Sequence, residues 1–180
     1  MRVIAGSARG IVLLAPRDRA TRPIADRVKE TLFAILGDRV PDARVLDLYA
    51  GSGAIGIEAL SRGAAHATFV EVARHALDVL RENLQRARVE AGATVREADV
   101  LRFLGSPAAD RYDLAFLDPP YGERDILAPL ERLLPHLEPV GSVVVKHFWR
   151  SPPPQIEGLV AWRERRFGET ALTFLQRVEG

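Results

Sequence analysis

At 180 residues, the chain is long enough for one domain with a sizeable core and too short for two of full size. With 47% hydrophobic residues, 27% charged residues and a net charge of +1, it is an ordinary globular chain and not a polycation. The absence of cysteine excludes disulfide staples and thiolate metal sites and fits a reducing compartment.

The N-terminus is too poor in apolar residues for a signal peptide. No run reaches the roughly 18 apolar residues of a membrane span, so a cytoplasmic location without membrane contact is expected. Charge is unevenly spread. Residues 1–30 hold seven basic and three acidic side chains, leaving the remainder slightly acidic. A basic lobe on a near-neutral chain is the footprint of a protein that meets a polyanion with one end.

In chain order, Val3–Ala5 and Ile11–Ala15 flank the loop Gly6-Ser7-Ala8-Arg9-Gly10 and predict a small N-terminal β-hairpin. Pro16 to Arg22 is an arginine-rich connector, readable equally as a phosphate-binding strip or a solvated loop. Arg9, Arg17, Arg19 and Arg22 are the candidate contacts to a polyanion. The organisation expected is an extension over residues 1–22 and a main domain over 23–180. Pro23 suits the first turn of a helix. Val28, Leu32, Phe33, Ile35 and Leu36 then recur at helical spacing up to Gly37, with Arg27, Lys29 and Glu30 expected on the outer faces.

From Arg44 the pattern alternates strand and helix. Val45–Tyr49, Thr68–Glu71, Thr94–Glu97, Tyr112–Leu117 and Val140–Phe148 read as strands. Helices are expected after Gly56, over the Ala73–Ala87 stretch and around Ile126–Leu134. Such alternation gives right-handed βαβ units and a mostly parallel sheet. Leu159–Arg165 and Thr170–Val178 lack an intervening helix and predict an antiparallel C-terminal hairpin at the sheet edge.

Two stretches carry the chemistry. Gly51-Ser52-Gly53-Ala54-Ile55-Gly56 follows a strand and opens a helix, the context in which a G-x-G-x-x-G turn brings backbone close to a ligand. Glu71 lies 20 residues beyond Gly51, at the end of the next strand, where a carboxylate can take ribose hydroxyls. Together these suit a nicotinamide dinucleotide as well as other adenosine cofactors. Asp47, four residues before the first glycine, can hold a cationic amino-acid end, and Asp99 can accept an adenine amino group. Those needs favour S-adenosylmethionine, converted to S-adenosylhomocysteine.

The second stretch is Asp118-Pro119-Pro120-Tyr121. Proline has no N–H and holds the residue before it extended, so the strand ends in a stiff loop. The loop presents a carboxylate, the Pro119 carbonyl and the Tyr121 ring together. Two acceptors for amine hydrogens beside a stacking ring are what a nucleobase with an exocyclic amine requires. At about 5% usage per position, this tetrapeptide arises by chance in about one such chain in a thousand, which favours function over an incidental turn. Asp118, Pro119 and Tyr121 are therefore the candidate catalytic residues. His66, His75, His136 and His147 show no ligand spacing, and no metal is expected.

These motifs resemble the class I S-adenosylmethionine-dependent methyltransferases, which implies a Rossmann-like α/β fold with a seven-stranded sheet. Thr21-Arg22-Pro23, Asp26–Phe33, Leu46–Gly53 and Leu60–Ala64, with Asp118–Tyr121, resemble the bacterial 16S rRNA guanine-N2 methyltransferase family over nearly the whole chain. The resemblance implies action on the N2 amine of a single guanine in 16S rRNA, in the small subunit or an assembly intermediate, and a monomer is expected. It also implies that the N-terminal hairpin binds RNA. Lys146-His147 is a departure, since an acidic residue is expected at the end of that strand. An adenine-N6 methyltransferase, a nicotinamide dehydrogenase and a non-catalytic rRNA-binding assembly factor are the alternatives.

Overall fold

The computed structural model describes residues 1–16, 24–119 and 126–178. Among them, seven strands form one sheet in the order β3-β2-β1-β4-β5-β7-β6. The strands are β1 (Arg44–Leu48), β2 (His66–Glu71), β3 (Ala93–Glu97), β4 (Tyr112–Leu117), β5 (Leu137–Phe148), β6 (Leu159–Phe167) and β7 (Thr170–Arg177). The first five are parallel, and β7 runs antiparallel to both β5 and β6. The expected Rossmann-like fold is the one observed.

Parallel strands are buried on both faces, and the core reflects this. One face gathers Phe33, Phe69, Phe116 and Phe174 under α1 (Asp26–Leu36), α2 (Ala54–Ser61) and α3 (Arg74–Ala87). The other gathers Leu46, Leu48, Val143 and Val145 under α4 (Val100–Leu104) and α5 (Leu127–Leu133). Each such side chain contributes about 1.5–3 kcal/mol when buried.

Three features depart from the sequence expectation. Helix α4 spans barely more than one turn, too little for periodicity to register, and is started by Asp99, whose Oδ1 accepts the Arg102 N–H at 2.9 Å. Strand β5 begins at Leu137, ahead of the expected Val140, because a register shift against β4 between Tyr112 and Leu114 accommodates Pro139 and Gly141. The third concerns Lys29. It is fully buried and not on an outer face, with Nζ 3.2 Å from Glu58 Oε2 and donating to the Arg2 carbonyl. Helical spacing gives no sign that its partner comes from α2.

The N-terminal hairpin is tied into this network. It contains one antiparallel bridge, Arg2↔Val12, in place of two full strands. Glu58 accepts the N–H groups of Ile4 at Oε2, 2.8 Å, and Ala5 at Oε1, 3.0 Å, and Arg62 Nε lies 2.8 Å from Oε1. Ser61 Oγ accepts from Ala8 N–H and donates to the Ala5 carbonyl. Gly6 is needed there. Its φ is +84°, and a Cβ would stand 1.7 Å from the Ser61 carbonyl oxygen. Val3, Ala8 and Leu13 join the same core as α1 and α2.

Candidate nucleobase and cofactor site

The strand order reverses direction between β1 and β4, and in open α/β sheets ligands bind at the carboxyl ends of the strands at such a point. The turn from β1 to α2 is sharp, with Tyr49, Gly51 and Gly53 at φ +59°, +55° and +77°. A non-glycine residue held there costs on the order of 1–3 kcal/mol, and such strain clusters at functional sites. The glycines divide the work. A Cβ on Gly53 would meet Leu80 at 2.2 Å and one on Gly56 would meet Phe69 at 2.3 Å, so both permit close packing. A Cβ on Gly51 would find only the Tyr49 carbonyl, at 4.0 Å, leaving that side open to a ligand. Ser52 faces the hairpin, with its carbonyl accepting Asn83 Nδ2 at 2.9 Å.

Asp47 is buried, and its Oδ2 accepts the Gly56 N–H at 3.0 Å, near the start of α2. Burial pushes its carboxyl up to about 8; the Gly56 bond opposes this, while Asp118 and Glu71 add to it. The site thus holds a desolvated carboxyl that a cation would readily ionise.

Glu71 Oε2 accepts the Gly51 N–H at 2.8 Å, and Oε1 accepts those of Val72 and Ala73, each at 2.8 Å. A carboxylate has about four acceptor positions, so one further donor fits before any of these bonds is exchanged. Asp99 is exposed at the tip of β3 and caps α4.

Asp118 follows β4 directly across from Lys146 in β5, since Leu117 pairs with Val145. Lys146 Nζ donates to both carboxylate oxygens, at 2.8 and 2.9 Å. Burial raises the Asp118 pKa, and Lys146 pulls it back. The departure noted at Lys146 is therefore a contact with the Asp118 carboxylate itself. Reading the β4–β5 register would have found it; motif matching does not.

Pro119 is half-buried beside Asp118, while Pro120 and Tyr121 lie outside the described residues. Of the four candidate RNA contacts, Arg9 is exposed at the hairpin tip, and Arg17, Arg19 and Arg22 lie outside the described residues. Among the described residues, no group of His, Asp and Glu could hold a metal ion, and no helix is long and apolar enough to cross a membrane.

Comparison with known proteins gives a consistent picture. The family profile described as "Conserved hypothetical protein 95" matches residues 1–176. A Bacillus subtilis protein named "Putative rRNA methyltransferase YlbH" is 37% identical over 182 residues, covering 98% of this chain and 99% of that one. Ribosomal RNA small subunit methyltransferase D of Escherichia coli is 43% identical over 122 residues, 67% of this chain and 60% of its own length. A solved Escherichia coli structure superposes with a TM-score of 0.88 at 32% identity, covering 99% of this chain and 98% of the other.

Proposed function

The chain belongs to the Conserved hypothetical protein 95 family, the family of ribosomal RNA small subunit methyltransferase D, and on that premise we propose that it transfers a methyl group from S-adenosylmethionine to the exocyclic N2 of a loop guanine in 16S rRNA. The observation that carries this reading is the placement of Asp118 and the Pro119 carbonyl at the end of β4, beside the open Gly51 turn and the buried Asp47.

The residues present fit the cofactor. Asp47 is a desolvated carboxyl suited to an ammonium group. Gly51 leaves its side of the turn open. Glu71 holds that turn in place and keeps one acceptor position toward the ribose. When bound, S-adenosylmethionine supplies a methyl group activated by a sulfonium.

The protein's task is then alignment, because the N2 lone pair of guanine is delocalised into its ring. Asp118 and the Pro119 carbonyl accept the two amine hydrogens and turn the lone pair toward the methyl. Tyr121 stacks on the base, a contact worth about 1–3 kcal/mol in nucleic-acid sites. Asp118, with its raised proton affinity, also receives the proton that N2 sheds on methylation. Lys146 opposes the effect of burial on Asp118 and fixes the carboxylate's orientation. Extruding a base costs a few kcal/mol, least where it is already unpaired, which favours a loop guanine.

Two pH-dependent results are expected. At neutral pH, Asp47 holds its proton in the ligand-free fold, and an ammonium group placed beside it drives that proton off. Binding of S-adenosylmethionine at pH 7 should therefore release up to one proton, and affinity should rise with pH toward about 8. Calorimetry in buffers of different ionisation enthalpy measures the proton directly; a binding enthalpy independent of buffer contradicts the role of Asp47. For stability the sign is set by the raised folded value. The native state binds more protons between the ordinary 3.8 and about 8, so the Asp47 contribution falls as pH rises through that window, and Asp47→Asn flattens the fall.

The second result concerns Lys146→Met. Removing the cation favours the neutral carboxyl, so the acidic limb of the kcat–pH profile should move to higher pH. An unmoved limb would show that Lys146 does not tune Asp118.

The reading is tested by labelled-methyl transfer to purified small subunits, naked rRNA and DNA. Incorporation into small-subunit rRNA is expected, and incorporation confined to DNA overturns it.

A further inference from the structure

The sheet ends in an exposed arginine–aromatic cluster that neither the cofactor turn nor the acceptor loop uses. Trp149 follows β5 immediately, and its N–H donates to the Glu169 carbonyl at 3.0 Å, which fixes it against the β6–β7 turn. The Arg166 guanidinium lies over the Trp149 ring, 3.4 Å from its centroid, and Arg150 lies over the same ring at 5.0 Å. Arg166 Nε donates to the Gly168 carbonyl at 2.8 Å, and among the described residues its terminal nitrogens have no partner. Phe148 packs beside Trp149 at 6.3 Å and is 42% exposed. Arg150 and Arg166 are both exposed there, as are Glu164 and Glu169.

The position of the cluster decides its meaning. Strand β6 is parallel to β4 and β5, because both β5 and β6 run antiparallel to β7. The C-terminal end of β6 and the residues after β5 therefore lie at the same rim of the sheet as Asp118. Trp149 stands three residues, roughly 10 Å along the strand direction, beyond Lys146, which touches Asp118. Arg166 is three strand spacings from β4, roughly 15 Å. Arginines along an edge strand also guard against edge-to-edge pairing, which accounts for Arg163 and Arg165. That protection does not account for two partly exposed aromatic rings side by side, one of which, Trp149, carries two guanidinium groups.

We propose that Phe148, Trp149, Arg150 and Arg166 form an RNA-binding surface, which holds the single strand flanking the target nucleotide at the β5–β6 rim of the sheet. Aromatic faces stack bases without regard to sequence, and arginines pre-set by stacking and by the Gly168 carbonyl meet phosphates. The proposal rests on the rRNA methyltransferase reading.

The test uses a fluorescein-labelled 12-nucleotide single-stranded RNA of mixed sequence, titrated by anisotropy at several salt concentrations, with methyl transfer to purified small subunits measured in parallel. Trp149→Ala should weaken RNA binding about tenfold. Arg150→Ala combined with Arg166→Ala should weaken it and reduce the slope of log affinity against log salt by about 1.4. Arg166→Lys should keep the slope while losing affinity. In each variant, S-adenosylmethionine affinity should stay at the wild-type value, which shows that the sheet is intact, and KM for subunits should rise with kcat unchanged.

RNA affinity and salt slope equal to wild type in all variants overturn the proposal. So does a raised KM for subunits with unchanged RNA affinity, which would assign the surface to a ribosomal protein. The reading on which it rests fails separately: wild-type protein that binds RNA through these residues yet transfers no methyl to rRNA leaves the surface standing and removes the reaction.

Discussion

Asp118→Ala should abolish most methyl transfer, by at least about 100-fold in single-turnover rate, while S-adenosylmethionine affinity stays near the wild-type value. The reason is where the carboxylate points. It stands at the end of β4, held at both oxygens by Lys146 at 2.8 and 2.9 Å, and in the proposed complex it bonds the reacting amine. An interaction made with the reacting group is lost from the rate and not from cofactor binding. Asp118→Asn keeps one acceptor but cannot take the proton from N2, so its rate should lie between those of Asp118→Ala and the wild type. Single-turnover transfer by Asp118→Ala near the wild-type rate would remove the carboxylate from the mechanism.

The largest effect on stability is expected at Glu58. This fully buried carboxylate faces Lys29 Nζ at 3.2 Å and Arg62 Nε at 2.8 Å, and it accepts the N–H groups of Ile4 and Ala5. Burial lowers the Lys29 pKa, and Glu58 is the main influence that restores its charge. Glu58→Ala therefore strands a buried ammonium group and two backbone donors together. Removing one member of a buried pair costs about 3–5 kcal/mol, a large share of the roughly 5–15 kcal/mol that holds a domain of this size together. Urea unfolding should show a markedly lower midpoint at an unchanged slope. Glu58→Gln, which keeps an acceptor and the shape, should lose less. A loss below about 1 kcal/mol for Glu58→Ala would mean that the N-terminal hairpin is held by its apolar contacts alone. The same network makes deletion of the hairpin a poor test of RNA binding, since Val3, Ala8 and Leu13 would leave the core with it.

The strands and helices were legible where periodicity was long, as in α3, and where apolar runs were continuous, as in β1 and β4. The Gly51–Gly56 turn and the Asp118-Pro119 corner were legible because each needs residue types that few other conformations require. What sequence could not show was which charges meet. Lys29 reads as a surface residue at helical spacing, yet its partner Glu58 comes from another helix. Lys146 reads as an anomaly until the β4–β5 register sets it against Asp118. Glu71 reads as a ribose ligand, and in the fold its carboxylate holds three backbone N–H groups that shape the turn. The rim cluster was invisible for a similar reason: Trp149 and Arg166 are far apart in the chain and meet through the β5–β7–β6 pairing.

The proposed reaction requires the Asp118-Pro119 corner to present a guanine amine for methylation. Its most direct test is nucleoside analysis by mass spectrometry of small-subunit rRNA incubated with the protein and labelled S-adenosylmethionine, run alongside Asp118→Ala. The label is expected in N2-methylguanosine at a single site, and it should be absent with the variant. Label recovered in N6-methyladenosine, or in N2-methylguanosine at equal yield with Asp118→Ala, would contradict the account.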